Sequence, residues 1–203
     1  MRSGLVDSLA RPGRNATGVT FQLDELAAKR LVLLKEAVPH VTRVAFLFNP
    51  DHIDNELREA ERAAETSGVK LHLAEIRDAG DLDRAFDVAT QTGIDALYVV
   101  SSRQTVRNVE RIVDFAAKNR LPVAGGWGAW VQAGALISYG PNVDEMVRQS
   151  AAYVDKILKG TKPAELPVQQ PTRFDLLINL KTAKALGVTV PPTLLSRADE
   201  VIE

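Results

Sequence analysis

The stretch TRVAFLFNPDHIDN, residues 42–55, decides the fold of this chain. Its apolar run from Val44 to Phe48 shows no polar alternation, and it stops at the dipeptide Asn49-Pro50. Such a run is typical of a parallel strand that is buried on both faces. Proline cannot extend a central strand, and the polar residues that follow can cap a helix. The stretch therefore predicts a strand, a tight turn and the start of a helix.

The same alternation of strand and helix recurs along the first two thirds of the chain. Strands are predicted at 43–48, 69–76, 94–100, 121–124 and 135–139, and helices at 24–38, 53–67, 80–92 and 104–119. Strands alternating with helices of this length form right-handed crossovers, so we predict an α/β fold with a parallel, doubly wound sheet. A strand order of 2-1-3-4 would place the first and third strands side by side at the switch point, where ligands bind.

The last third of the chain has a different pattern. A long helix is predicted from Asn142 to Gly160, with the apolar residues Val143, Met146, Val147, Val154 and Ile157 on one face. The proline-rich segment 161–173 predicts an extended surface connection. Short strands are predicted at 17–21 and 174–178, and short helices at 180–186 and 193–202.

Composition excludes several classes of protein. The chain has 203 residues, of which 45% are hydrophobic, a net charge of -1 and no cysteine. This length suffices for one sizeable domain, or one domain plus a fragment of another. The balanced charge argues against a nucleic-acid partner, and the scattered histidines His40, His52 and His72 predict no metal site. The apolar runs are shorter than the ~20 residues of a membrane span, and the first 14 residues lack the apolar core of a secretory signal.

Three loops at the carboxyl ends of predicted strands hold the candidate ligand-binding residues. These residues are Asn49, Pro50, Asp51, Ser101, Ser102, Arg103, Gly126 and Trp127. Amide, hydroxyl and guanidinium groups in one crevice suit a small polar or anionic molecule. Trp127 could form a wall of that crevice, or it could plug the end of the sheet. The alternative for the whole set is that these residues only cap helices and turn the chain.

Catalytic signatures are missing from the sequence. It contains no GxSxG nucleophile elbow, no phosphate-binding loop with its Lys and Ser/Thr, and no GxGxxG after the first strand. The clustered acidic residues fall on polar faces of predicted helices. We therefore predict no catalytic residue, no cofactor and no enzyme activity, and a flavodoxin- or Rossmann-type enzyme is the least favoured alternative.

Several long stretches resemble one known family. They are RPGRNATGVTF, AKRLVLLKEAVPHVTRVAFLFNP, GALISYGPNVDEMVRQSAAYVDKILKG and LPVQQPTRFDLLINLKTAKALGVTVPPTLLSRADEVIE. They resemble bacterial ABC-transporter substrate-binding proteins of the tryptophan/aromatic-amino-acid-binding-like group. The resemblance implies a type I periplasmic binding fold, in which a ligand is clamped between two α/β lobes joined by a hinge.

Measured against that family, the chain resembles the second lobe with most of the first lobe missing. The resemblance implies four segments: 1–22 as a remnant of the first lobe, 23–126 as the ligand-binding lobe, 127–171 as a crossing segment with a first-lobe helix, and 172–203 as a return strand with C-terminal helices. We therefore expect weak or no ligand binding by this chain alone, and a micromolar dissociation constant would contradict that expectation. The helix at 142–160 should be poorly covered, or it should form a homodimer through its apolar face.

The resemblance also implies a function. The chain would bind a small polar solute, an amino acid or a small carboxylate, and pass it to an ABC permease. Relatives that bind aromatic amino acids have an Asp-Asn type pair near Ser102 and Arg103, so the departure here argues against an amino-acid ligand. A ligand-sensing regulatory domain of the same fold is the alternative function. The family implies a periplasmic or cell-envelope location, whereas a chain made without a leader would stay in the cytoplasm.

Overall fold

The computed structural model describes residues 4–21, 26–51 and 55–203. The chain divides into two compact units. Leu23–Gly140 with Asp175–Glu203 form one, which we call the sheet unit, and Met1–Gln22 with Pro141–Phe174 form the other, which we call the helix unit. Assignment of these units to the lobes of a type I fold stays a prediction. The predicted helix starts at Asp24 and Ile53 lie outside the described residues.

Helices and strands alternate from the first described helix to the end of the chain. The strands are β1 (Arg43–Phe48), β2 (Lys70–Glu75), β3 (Ala96–Val99), β4 (Val123–Gly125), β5 (Ile137–Pro141), β6 (Phe174–Asn179) and β7 (Glu200–Ile202). The helices are α1 (Ala27–Ala37), α2 (Glu56–Ser67), α3 (Asp81–Thr92), α4 (Arg103–Arg107), α5 (Val109–Lys118), α6 (Gly128–Gln132), α7 (Val143–Leu158), α8 (Leu180–Leu186) and α9 (Pro192–Leu195). A short 3₁₀ helix covers Pro163–Glu165.

The seven strands form one sheet in the order β2-β1-β3-β4-β5-β6-β7. Parallel pairing joins β1 to both β2 and β3, β3 to β4, β4 to β5, and β6 to β7. The predicted order 2-1-3-4 and the predicted parallel α/β class are therefore confirmed. The order reverses direction at β1, so β1 and β3 flank the switch point of the sheet.

Both faces of the central strands β1 and β3 are buried, as the apolar run of β1 predicts. Val44 and Phe46 belong to a core that includes residues of α1, α2, α8 and α9. Ala45 and Leu47 belong to a second core that includes residues of α3, α5 and α6. Successive residues of a strand point to opposite faces, so a strand covered by helices on both sides must be apolar at every position.

Three local predictions of secondary structure, those for residues 104–119, 17–21 and 193–202, are wrong in detail. The helix predicted at 104–119 is two helices, because Asn108 has non-helical dihedrals and serves as the C-cap of α4 and the N-cap of α5. The strand predicted at 17–21 reduces to one bridge, between Val19 and Gln169. Two short elements, α6 and β7, are not predicted as such.

The helix predicted at 193–202 is the clearest of these errors. Helix α9 ends at Leu195, and Glu200–Ile202 form the edge strand β7. Asp199 aligns the start of β7 with β6, because its backbone N–H donates to Leu176 O at 2.8 Å and its Oδ2 accepts from the Leu176 N–H at 2.8 Å. A three-residue strand that depends on pairing with a distant strand leaves little signal in its own sequence.

The helix unit is organised around α7. Asn142 caps this helix, because its Oδ1 accepts from the Glu145 N–H at 2.8 Å. Buried apolar side chains in the described part of this unit are few, namely Met146, Tyr153 and Leu166 together with the prolines Pro12, Pro141 and Pro171. The Tyr153 hydroxyl donates to Pro167 O, which ties the proline-rich connection to the helix.

Candidate functional site

The carboxyl ends of β1, β3 and β4 lie next to one another. Leu47 of β1 is in register with Val99 of β3, and Val99 is in register with Gly125 of β4. The loops that follow therefore start in line along one edge of the sheet. This confirms the prediction that the turns at Asn49 and Ser101 lie side by side, on which the proposed crevice depends.

A cavity of about 360 Å³ opens at this edge. It is lined by Ser102, Arg103, Val106, Arg107 and Trp127. The cavity brings together residues from the loop after β3, helix α4 and the loop after β4. Its size suits a small molecule rather than a peptide or a nucleotide chain.

The two serines after β3 are buried and locally bonded. Ser102 Oγ accepts from the Thr105 N–H at 3.3 Å, and Thr105 Oγ1 accepts from the Ser102 N–H at 2.9 Å, which is a capping box at the start of α4. Ser101 Oγ accepts from Trp130 Nε1 at 3.3 Å. Because both hydroxyls already form hydrogen bonds within the chain, their main effect is to hold the loop and the first turn of α4 in place.

The loop after β1 is held by its own polar groups. Asn49 Oδ1 accepts from the Asp51 N–H at 2.8 Å, and Asp51 forms an ion pair with Arg77 at 2.8 Å. These residues, together with Pro50, do not line the cavity. Their role as ligand contacts stays a prediction.

Gly126 lies where the backbone passes close to two polar side chains. A Cβ at this position would come within 3.0 Å of Arg30 Cζ and 3.1 Å of Ser101 Oγ. A larger residue would therefore displace one of these groups. Gly126 contributes space at this edge, and the next residue, Trp127, reaches the cavity.

A buried charge network lies beneath the same edge. Arg30 of α1 is 1% exposed, and its Nη1 donates to Glu56 Oε2 at 2.6 Å and to the Tyr98 hydroxyl at 3.1 Å. Its Nε donates to the carbonyl of Tyr139 on β5 at 2.6 Å. Burial disfavours the charged guanidinium, but Tyr98 and Glu56 outweigh this effect, so the pKa of Arg30 lies above its ordinary value.

This network connects four elements. It links α1, α2, β3 and β5 through one guanidinium. Burial also raises the pKa of the Tyr98 phenol well above its ordinary range, so Tyr98 remains a neutral hydrogen-bonding partner at physiological pH. The network thus fixes the relative positions of the strands whose ends carry the cavity.

Sequence reasoning missed Arg107, Val106 and Arg30. Arg107 follows Arg103 by four residues, so both lie on one face of α4, and this spacing was a usable signal. Arg30 gave no such signal, because it lies within an amphipathic helix where an arginine is normally exposed. Only the tertiary structure brings Glu56 and Tyr98 to it.

The family profile described as "ABC transporter substrate binding protein" matches residues 1–202. The chain belongs to the ABC transporter substrate-binding protein family. This is a family of binding proteins rather than enzymes. Within it, the predicted recognition, fold class and non-enzymatic character are confirmed.

Individual relatives agree with this assignment. The tyrosine-binding protein of Clostridioides difficile is 23% identical over 191 residues, an alignment that covers 93% of this chain and 54% of the relative. The chain thus spans about half the length of this relative.

Two solved structures have a similar fold. A conserved domain protein from Vibrio cholerae superposes with a TM-score of 0.86 at 29% identity, over 99% of this chain and 68% of that one. An ABC domain from Streptococcus pneumoniae, solved in complex with L-Trp, has a TM-score of 0.86 at 24% identity, over 100% of this chain and 70% of that one. No helix among the described residues of this family member is long and apolar enough to cross a membrane.

Proposed function

We propose that this chain binds a small solute carrying a carboxylate in the cavity at the carboxyl edge of its sheet. The solute would be an amino acid or a small carboxylate, and an ABC permease would receive it. The observation that carries the proposal is the pair of guanidinium groups, Arg103 and Arg107, beside Trp127 in one cavity. The names of two relatives, a tyrosine-binding protein and a domain in complex with L-Trp, support a carboxylate-bearing ligand.

Each lining residue has a distinct role in this proposal. The planar fork of Arg103 matches a carboxylate with two parallel hydrogen bonds. Trp127 and Val106 contact the apolar body of the solute, and the buried cap at Ser102 holds Arg103 at the start of α4. Asn49, Pro50 and Asp51 form the neighbouring loop, and we propose that this loop contacts the outer side of the solute while the Asp51 carboxylate stays paired with Arg77.

The two tryptophans of the chain allow a direct test. Trp127 lines the cavity, whereas Trp130 is buried and its indole N–H is bonded to Ser101. In ¹H–¹⁵N spectra of the 203-residue chain, a panel of amino acids and small carboxylates should contain a compound that shifts the Trp127 indole signal more than the Trp130 signal. This readout detects weak as well as tight binding. Unchanged Trp127 signals with every compound at about 10 mM would contradict the proposal.

Location follows from the same proposal. Delivery to a permease requires that the binding protein meets the outer face of the membrane, so we propose an extracytoplasmic site of action. Permease and ATPase genes beside the gene for this chain would support transport. A neighbouring signalling gene instead would favour a ligand-sensing role.

We also propose that two copies associate through α7. Its residues Val147, Ala151, Val154 and Leu158 are exposed and follow one another at intervals of four, three and four, which forms one apolar stripe. Val147 is 61% exposed and Leu158 is 81% exposed. Water-exposed aliphatic side chains in a continuous stripe favour burial against a matching surface.

Charge complementarity favours a second copy of this chain as the partner that covers the apolar stripe of α7. In an antiparallel pair of α7 helices, Val147 faces Leu158 of the other copy and Ala151 faces Val154. Arg148 and Asp155 then lie beside the apolar stripe. Arg148 of each copy lies opposite Asp155 of the second copy. Two intermolecular ion pairs result, in which Asp155 contacts Arg148 of the second copy in addition to Lys159 of its own helix, with which it pairs at 2.9 Å. One helix pair buries little area, so we expect a weak and concentration-dependent dimer.

A further inference from the structure

Two arginines of the cavity carry positive charges that the described part of the chain leaves unpaired. Arg103 and Arg107 are one turn apart on α4 and both side chains are exposed, without an ion pair or side-chain hydrogen bond to any described residue. Nearby surface arginines differ, since Arg77 pairs with Asp51 and Arg111 pairs with Asp83. Two like charges at this spacing repel each other, and an anion between them would relieve the repulsion.

Among the described residues, the lining of the cavity offers no carboxylate that would pair with a ligand ammonium. The hydroxyl of Ser102 is occupied by the cap of α4. Asp51, a described acid on the adjacent loop, is already paired with Arg77. A zwitterionic amino acid would therefore gain from its carboxylate, whereas no described side chain of the lining would compensate for lost hydration of its ammonium.

We infer that the cavity selects a small dicarboxylate over a zwitterionic amino acid. Arg103 holds one carboxylate and Arg107 holds the other, while the carbon chain lies against Val106 and Trp127. This inference rests on the proposed function and narrows it to one class of solute. It also assigns a specificity role to Arg107, which neutralises the second negative charge.

Matched probes separate charge from size. Succinate and butyrate have four carbons each and differ by one carboxylate, and L-tyrosine and L-tryptophan supply the zwitterionic comparison. Shifts of the Trp127 indole signal in titrations of the full chain give the dissociation constants. We expect succinate to bind about tenfold or more tightly than butyrate or either amino acid, since one charge-assisted contact distinguishes them. Added NaCl should weaken succinate binding most.

Variants test whether Arg107 binds the second carboxylate of the solute. Arg107→Gln should weaken succinate binding about tenfold and leave butyrate binding within about twofold. Arg120→Gln, which removes an equal charge from the turn before β4 at the opposite edge of the sheet, should change neither. Circular dichroism checks that each variant keeps its fold.

The outcomes distinguish the inference from the function beneath it. If succinate and butyrate bind equally, or an amino acid binds most tightly, the selection of dicarboxylates is refuted and the proposed function stands. A loss of succinate binding in Arg120→Gln equal to that in Arg107→Gln would likewise refute a specific role for Arg107. If none of the four compounds shifts Trp127, the selection of dicarboxylates is refuted, and the proposed function fails as well only if no compound of the wider panel shifts Trp127.

Discussion

A single buried arginine organises the functional edge of the sheet unit. Arg30 and Glu56 are both fully buried, and their side chains meet at 2.6 Å. Burying a charge is costly unless it is paired, and removal of one partner leaves the other uncompensated. The network therefore fixes how α1 packs against α2 and β3, and this effect does not depend on how much the network contributes to the free energy of unfolding.

We predict that Arg30→Met lowers the free energy of unfolding by about 3 kcal/mol or more, because Glu56 is left charged in the core. The double variant Arg30→Met/Glu56→Gln should recover part of this loss, since no buried charge remains. Urea unfolding followed by circular dichroism measures both. Arg58→Met, at an exposed arginine of α2, is the control and should change stability by less than about 0.5 kcal/mol. A double variant less stable than Arg30→Met would contradict this account.

A second charged residue stabilises the opposite edge of the sheet. Asp95 Oδ2 accepts from the Thr42 N–H at 2.9 Å, the Thr42 hydroxyl at 2.8 Å and the Arg43 N–H at 2.9 Å, and its Oδ1 pairs with Arg43 Nη2 at 2.9 Å. Burial alone would raise the pKa of Asp95. The bonds from Arg43 and Thr42 outweigh burial and hold the pKa well below its ordinary value.

This lowered pKa predicts a pH-dependent stability. A carboxylate whose pKa is lower in the folded state stabilises the fold above its unfolded pKa of about 4, and that contribution disappears as the pH falls toward the folded value. Asp95→Asn should therefore cost about 2 kcal/mol at pH 7, and the gap to the natural chain should narrow below about pH 4. Urea unfolding at pH 7, 5 and 3 tests this, with the exposed Asp87→Asn as control. A gap that widens on acidification would refute it.

At the scale of elements, the sequence predicts those whose own residues carry the signal. Strand β3 and the part of β1 from Val44 to Phe48 are apolar because helices cover both sides, and this composition is visible without the structure. Strand β7 starts with Glu200 and forms only because β6 pairs with it, so its sequence resembles a helix end. The candidate site is likewise predictable only in part. The positions of its loops follow from where the strands end, but the hydrogen-bond partners of Ser101 and Ser102 are revealed only by the structure.

Helix α7 gives a prediction that depends on one element. Arg148→Glu should weaken the proposed dimer, because the introduced carboxylate would face Asp155 of the second copy and repel it. The charge-exchanged double variant, Arg148→Glu with Asp155→Arg, should restore self-association. Sedimentation velocity over a concentration series measures the change. Val154→Glu should leave only monomer, since it places a charge in the apolar stripe. If the double variant dissociates as readily as Arg148→Glu, antiparallel pairing is excluded.

At the scale of the whole molecule, the two units differ in how much apolar surface each buries. The sheet unit has two cores, one on each face of the sheet, whereas the described part of the helix unit buries Met146, Tyr153, Leu166 and three prolines among its apolar side chains. Burial of apolar area is the main stabilising term in folding, so the helix unit should be less stable by itself. The two units should therefore unfold in separate transitions, and the free energies predicted above for the Arg30 and Asp95 variants refer to the transition of the sheet unit.

Hydrogen exchange measured by mass spectrometry tests this difference. We predict that amides of α7 exchange through an opening of lower free energy than amides of β1 and β3, because the core beneath α7 is small. The measurement is made on Val154→Glu at low protein concentration, so that self-association cannot protect the helix. On the natural chain, raising the concentration should slow exchange in α7 and leave β1 unchanged. Protection of α7 equal to that of β1 in the monomeric variant would show that the two units unfold as one, and the proposed independence of the helix unit would then be wrong.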